Sequence, residues 1–301
     1  MVHATTTLKT YARHLELAAK IIKGLFMSQQ AVRSISPLAL LRSIKANHSL
    51  IYYLVKRDVV GRYRGSVMGL LWSFFNPLLM LAVYTFVFSV VFNARWTDGS
   101  DSKTEFALVL FAGLMVFNLF SECVNRAPSL ILSNVNYVKK VIFPLEILPI
   151  VAFGSTAFHF MISLLVWLLF YLAFFGIPPV TIIQLPLVII PLILMTLGFA
   201  WLLASLGVYL RDVTQIIGVM TTVLMFLSPI FYPISALPEE YQFFMQISPL
   251  TNVIEQAREV MIWGKGIDWV AWFGQLLISA MVAWLGFAWF QKTRNGFSDV
   301  L

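Results

Sequence analysis

From Ile147 to Leu210 the chain carries no Asp, Glu, Lys or Arg. A charge at the centre of a bilayer costs about 2.5–3.5 kcal/mol on insertion scales, so long charge-free stretches are what lipid selects. A helix needs about 20 apolar residues to cross. The stretch therefore reads as two spans, near residues 147–175 and 183–209. Four more apolar runs fit spans near 70–92, 106–120, 213–231 and 269–290. The expected fold class is an all-α integral membrane protein with six transmembrane helices. Composition agrees: 12% of the residues are charged, about half the share of a soluble domain.

Charge fixes the expected orientation. With the N-terminus inside, the inner segments are 1–69, 121–146, 210–212 and 291–301, and they hold 17 of the 21 Lys and Arg residues. The outer segments 93–105, 176–182 and 232–268 hold the other 4. Acidic residues divide 6 inside and 8 outside, so the inner side is +11, the outer side is −4, and the chain is +7. Lys and Arg collect on the cytoplasmic side of membrane proteins. Both termini are expected there, in the cytoplasmic (inner) membrane of a cell. The basic balance reflects orientation and anionic headgroups rather than nucleic acid.

The stretch from Lys56 to Pro77 marks where the chain meets the membrane. Its first half contains Lys56, Arg57, Asp58, Arg62 and Arg64, and its second half has no charge. Gly61, Gly65 and Gly69 allow a bend between the halves. Asn76-Pro77 lies inside the first span, where neighbouring helices re-satisfy the freed carbonyl. Two domains are read: an interfacial region with this basic elbow, 1–69, and a membrane domain, 70–301.

Upstream, Leu8, Tyr11, Leu15, Ala18, Ile22 and Phe26 share one helical face, and Lys9, Arg13, Glu16, Lys20 and Lys23 share the other. This is the pattern of a helix lying in the membrane interface, with packing on a partner protein as the alternative. Met1 to Lys23 lacks the apolar core of a signal peptide. The inner loop with Tyr137, Lys139 and Lys140 suits a cytosolic partner or serves orientation alone. Arg211 and Asp212 form a tight inner turn and can pair locally. The outer segment from Ser228 to Gly266 is too apolar for a free loop and too interrupted for a span. Pro238 and Pro249 mark two helix starts there. From Leu250, the residues Val253, Ile254, Ala257 and Met261 form an apolar face, and Glu255, Arg258 and Glu259 a polar one. Two short helices re-entering the outer leaflet are expected, beside protein or a water-filled path.

Several chemistries lack motif support. No GxxxxGK[ST] phosphate loop occurs, and Gly264-Lys265-Gly266 is not one. HExxH and GxSxG are absent too, so no catalytic residues are assigned. The single cysteine, Cys123, excludes an internal disulfide and a cysteine-rich metal site, and no metal ligands are assigned. Ion-driven carriers usually place carboxylates, His or Lys in their helices, which counts against that class here. His159, between Phe158 and Phe160, reads as a packed, hydrogen-bonded residue rather than a relay. Aromatics are plentiful: Trp72, Phe75, Tyr84 and Phe88 on the first span, and Phe226, Phe231 and Tyr232 at the end of the fifth. Packing and interface belts account for most membrane aromatics. Aromatic faces also suit sugar rings.

The run KRDVVGRYRGSVMGLLWSFFNP, with Tyr137-Val-Lys-Lys140, Phe143-Pro144, Arg211-Asp212, Ser228-Pro229-Ile230 and Ser248-Pro249-Leu250, resembles the membrane subunits of ABC-2 type polysaccharide exporters. The family includes O-antigen, capsule and teichoic acid permeases, and the resemblance covers about residues 50–290. It implies a homodimer of six-span subunits bound to two copies of a separate ATPase, which would carry the ATP and Mg while this chain holds no cofactor. Lys56, Arg57, Asp58, Tyr137, Lys139, Lys140, Arg211 and Asp212 would face the ATPases. The first and fifth spans would line the path, with Trp72, Phe75, Tyr84, Phe88, Phe226, Phe231 and Tyr232 as its aromatics. Arg57, Arg62 and Arg64 would sit where the pyrophosphate of a lipid-linked glycan, O-antigen above all, enters; binding of lipid phosphates or of the ATPase is the alternative. A permease for a small amphiphile and a membrane enzyme acting on lipid-linked sugars, using Glu239, Glu240, Glu255 and Glu259, are the competing functions.

Overall fold

The structure, a computed structural model, describes residues 35–87, 96, 103–139 and 143–301. The chain divides into two units, Met1–Ser36 and Pro37–Leu301. The interfacial helix expected over residues 8–26 belongs to the first unit and lies outside the described residues, as do Phe88 and Lys140.

The second unit is all-helical among the described residues. Helices α1 (Pro37–Ala46) and α2 (His48–Arg62) lead into the elbow. There Gly65 and Gly69 adopt φ of +88° and +54°, a left-handed backbone that glycine reaches without strain. The first span, α3 (Trp72–Tyr84), follows a short turn at Gly69–Leu71 and contains Pro77. Then come α4 (Lys103–Arg126), α5 (Leu148–Phe175), α6 (Leu185–Tyr209) and α7 (Val213–Leu227). Helices α8 (Glu239–Ile247) and α9 (Pro249–Met261) are short, and α10 (Trp269–Thr293) is the last span. Asp268 caps α10, accepting from Val270 N at 3.0 Å and Ala271 N at 3.2 Å.

Among the described residues five helical segments are long and apolar enough to cross a membrane: Gly69–Val87, Thr104–Ser129, Leu145–Phe175, Val180–Tyr209 and Trp269–Val300. The sixth apolar helix, α7, has 15 residues. At 1.5 Å per residue it is about 22 Å long, less than a full hydrocarbon core. Ser228-Pro229 stops it before the expected end at residue 231. The second span corrects the sequence reading the other way. It continues past Phe120 to Arg126, because Glu122 pairs with Arg62 and Arg126 with Asp58. Neutralised in this way, both charges stay on the helix.

Helix α4 is the centre of the bundle. From Phe106 to Phe120 every residue is buried except Asn118. Tryptophan indoles bolt other elements together: Trp167 Nε1 donates to Leu108 O at 3.1 Å, Trp201 Nε1 to Glu146 O at 2.9 Å, and Trp272 Nε1 to Leu187 O at 2.9 Å. Helices α6 and α10 cross in backbone contact. A Cβ on Gly286 would lie 2.0 Å from Gly198 O, so only glycine fits. Close approach through small residues is how membrane helices gain packing energy without a hydrophobic drive.

The segments expected on one side do gather at one end. Ser43 donates to Glu146 Oε1 at 2.9 Å, and Arg294 to Glu146 Oε2 at 2.6 Å. Lys139 Nζ bonds the Leu301 carbonyl, and Tyr209 Oη donates to Thr293 O at 2.9 Å. At the opposite end Thr181 donates to Val260 O at 2.7 Å, and Ile267 N to Gln184 Oε1 at 3.2 Å.

The outer helices start at the two prolines as expected, but Arg258 is not on a solvated face. It is fully buried. Its guanidinium donates to Val109 O (3.0 Å), Ile230 O (3.0 Å), Pro229 O and Glu255 Oε1 (2.7 Å), and lies 4.2 Å over the Trp96 ring. Burial lowers its pKa to about 10, still well above neutral, so the charge remains. This one side chain ties α9 to α4 and to the Ser228–Ile230 strap. Removing it strands Glu255 and three carbonyls. Arg258→Ala is expected to cost about 3–5 kcal/mol, and Gly286→Ala about 1–3 kcal/mol through overpacking. Thermal unfolding of the detergent-solubilised protein checks both, with the exposed substitution Lys265→Ala as the near-neutral control.

Candidate functional site

A cavity of about 520 Å³ opens between the end of α2 and helices α3, α4 and α5. Phe111, Leu114, Met115, Asn118, Leu119 and Glu122 of α4 line it, one face of that helix at three- and four-residue steps. From Phe111 to Glu122 the face runs about 16 Å along the helix. Trp72, Ser73, Asn76, Met80 and Tyr84 of α3 form the facing wall. Trp72 and Asn76 are exposed, so the cavity is open along α3.

Its elbow end is charged. Arg62 Nη1 donates to Glu122 Oε1 and lies 2.9 Å from His159 Nδ1. Glu122 Oε1 is 3.5 Å from the same His159 nitrogen. His159 Nε2 is buried and has no partner. The Asn76 and Asn118 side chains line the cavity and make no hydrogen bond among the described residues. Tyr63 meets His159 at a tilt of 50°, centroids 6.0 Å apart, and burial pushes its phenol pKa up, so it stays protonated. The Arg62 side chain is 46% exposed, so its ion pair with Glu122 is one that solvent and ligands reach.

The far end is aromatic. Tyr84 packs against Phe231, and Phe231 against Phe226, at 6.4 and 5.6 Å between centroids. Tyr232 Oη donates to Phe226 O at 2.8 Å, which holds this group in place. Of the residues singled out in the sequence, the cavity brings together Arg62, Trp72 and Tyr84. Phe75 is half-buried on α3, edge-on to Phe74, and does not line the cavity. Arg57 and Arg64 are exposed and also lie off its lining.

The elbow makes a second polar surface. Arg57 Nη1 donates to Tyr137 Oη at 2.8 Å, and Tyr137 stacks on Phe143 at 4.3 Å. Asp58 accepts from Arg126 Nη2 at 2.6 Å. Lys56, Arg211 and Asp212 are exposed. The pairing expected between Arg211 and Asp212 does not form; each side chain is left to solvent. At the outer end Glu255 is tied to Arg258 and Glu259 to Lys265, at 2.7 and 3.4 Å. Glu239 and Glu240 begin α8 apart from them. Among the described residues no three His, Cys, Asp or Glu side chains are placed to hold a metal ion.

Sequence reasoning missed Asn118 and Glu122. Their signal is a polar stripe, Asn118, Glu122 and Asn125, at helical spacing on an apolar helix. Glu122 had been placed in the inner loop. A charge standing alone in sequence ends a span; here its partners come from 60 and 37 positions away.

A family model described as "ABC-2 type transporter" matches residues 49–262. The "O-antigen export system permease protein RfbA" of Myxococcus xanthus is 26% identical, over 86% of this chain and 98% of that protein. A protein of the same description from Klebsiella pneumoniae is 24% identical, over 84% of this chain and 95% of its own. The "Polysialic acid transport protein KpsM" of Escherichia coli is 23% identical, over 80% and 92%.

The cavity is testable by labelling. Cys123 is fully buried and gives a silent background. Asn76→Cys and Asn118→Cys are expected to react with a membrane-impermeant maleimide, and Cys in place of buried Leu110 is expected not to. Equal labelling of all three, or of none, contradicts a water-filled cavity.

Proposed function

The chain belongs to the ABC-2 type transporter family, and from that premise we propose that it is the permease of an ATP-driven exporter of lipid-linked polysaccharide, O-antigen above all. The observation that carries this reading is the nearly end-to-end match to permeases named for O-antigen export. The cavity adds a physical argument. An exporter for a glycan on a lipid phosphate needs a cationic group where the headgroup approaches and sugar-compatible surfaces beyond it. Arg62 stands at one end of the cavity and Tyr84, with Phe231 and Phe226 behind it, at the other. Arg57 and Arg64 extend positive charge outward from Arg62 along the elbow.

As the membrane subunit, this chain supplies the passage and takes its energy from a separate ATPase that carries the phosphate loop missing here. The coupling surface is the elbow: Lys56, Arg57 and Asp58 with Tyr137, Lys139 and Lys140, and the Arg211–Asp212 turn. The Arg57–Tyr137 hydrogen bond joins two parts of it. Two copies complete the passage. Exposed apolar residues on α3 (Leu79, Met80, Val83) and α7 (Val219, Val223, Phe226) give each copy a face for its twin. The ends of the bundle sort as the positive-inside count requires, which supports cytoplasmic termini in the inner membrane.

Deleting the gene is expected to leave the cell surface bare and long lipid-linked glycan accumulated inside. Normal surface glycan overturns the reading and favours a small amphiphile as cargo. In the assembled transporter, Arg57→Ala with Tyr137→Ala is expected to keep basal ATP hydrolysis and lower export severalfold, measured as surface glycan per cell.

A further inference from the structure

We propose that Glu122 is a built-in competitor on Arg62, and that a phosphate-type anion takes Arg62 by displacing this carboxylate. The inference rests on the export reading only for the source of the anion; the exchange itself is argued from the cavity.

Arg62 offers a planar fork of donors, the group best suited to a phosphate or carboxylate. It is already engaged by Glu122 Oε1. While that bond holds, the pair has no net charge, and the cavity has little field with which to attract an anion. Yet the bond is not sealed. The Arg62 side chain is 46% exposed, and the cavity lies directly against it. Glu122 also has a second partner in reach: His159 Nδ1, 3.5 Å away, accepts from Arg62 in the resting pair and donates to Glu122 in its Nδ1–H tautomer once Arg62 leaves. It can give up Arg62 and remain hydrogen-bonded. A structural ion pair in a membrane helix is usually closed in by its neighbours, but this one borders open space.

Around that space stand polar groups with no partner. His159 Nε2 is buried and unpaired. The side chains of Asn76 and Asn118 line the cavity from α3 and α4 and bond nothing among the described residues. Asn118 is the one exposed residue on α4 between Phe106 and Phe120. A buried polar atom left unpaired is costly, and the asparagine amide N–H groups can donate to an arriving oxyanion. The arrangement has a consequence for selectivity. An anion must outcompete a carboxylate already in contact, so every oxyanion binds more weakly than to a free guanidinium, and the more highly charged diphosphate keeps the higher occupancy.

The test is binding to the purified full chain in lipid nanodiscs, by calorimetry, with inorganic phosphate, inorganic pyrophosphate, a short-chain prenyl diphosphate and glucuronate as probes. Glu122→Gln keeps the shape and removes the charge. It is expected to bind pyrophosphate about tenfold more tightly, the size of one charge-assisted hydrogen bond no longer contested. Its preference for pyrophosphate over phosphate is expected to persist, because the displaced carboxylate costs both anions the same. Arg62→Gln is expected to abolish binding, alone and combined with Glu122→Gln. Unchanged or weaker binding by a folded Glu122→Gln protein overturns the proposal. If that variant does not fold, Asn118→Leu, which leaves the ion pair intact, is expected to weaken binding about tenfold; unchanged binding overturns the proposal in that case. Stronger binding of the prenyl diphosphate than of inorganic pyrophosphate assigns the anion to the lipid carrier, and stronger binding of glucuronate than of either overturns the phosphate assignment. These readings need no export, so normal surface glycan in the deletion strain removes the cargo assignment and leaves the exchange site standing.

Discussion

The structure depends on α4 being surrounded. A helix buried on every side in a bilayer has nowhere to put a polar side chain except against protein or into a cavity, because lipid offers no hydrogen bonds. Asn118, Glu122 and Asn125 on this helix therefore define the interior. Asn125 Oδ1 accepts from Thr221 at 3.0 Å and so positions α7. Glu122 takes Arg62 and fixes the elbow, and Asn118 is left facing open space. The same helix that makes the core thus sets where the cavity lies.

Charge is handled by the same rule at three depths. At the elbow end Glu146 is almost buried, yet it joins Ser43, Arg294 and, through its carbonyl, Trp201. At the outer end Arg258 is satisfied mainly by carbonyls that helix breaks leave free at Pro229 and Ile230. These two groups are closed off and structural: removing one partner leaves an uncompensated charge in a low-dielectric site. The Arg62–Glu122 pair, in contrast, is open to a cavity. Openness, more than charge, separates this pair from the two closed ones.

Much of this was legible in the sequence. The charge-free stretches mark the spans, Pro238 and Pro249 mark the outer helices, and the lysines and arginines of the elbow mark one end of the bundle. What was hidden depended on partners far along the chain. Glu122 and Arg126 looked like loop residues because Arg62 and Asp58 lie 60 and 68 positions away. Arg258 looked solvated because its ligands are backbone carbonyls, which sequence pattern does not reveal. His159 was correctly read as hydrogen-bonded, while its free Nε2 atom and the space beside it emerge only from the packing of four helices.

The most direct measurement of the central claim is reconstituted transport. Vesicles carrying the permease and its ATPase are supplied with lipid-linked glycan on the elbow side, and sugar reaching the opposite side is detected by a lectin that cannot cross. ATP-dependent appearance of glycan, lost in Arg62→Gln, is the expected result. Glycan that stays on the elbow side while ATP is hydrolysed and a small amphiphile is moved contradicts the account.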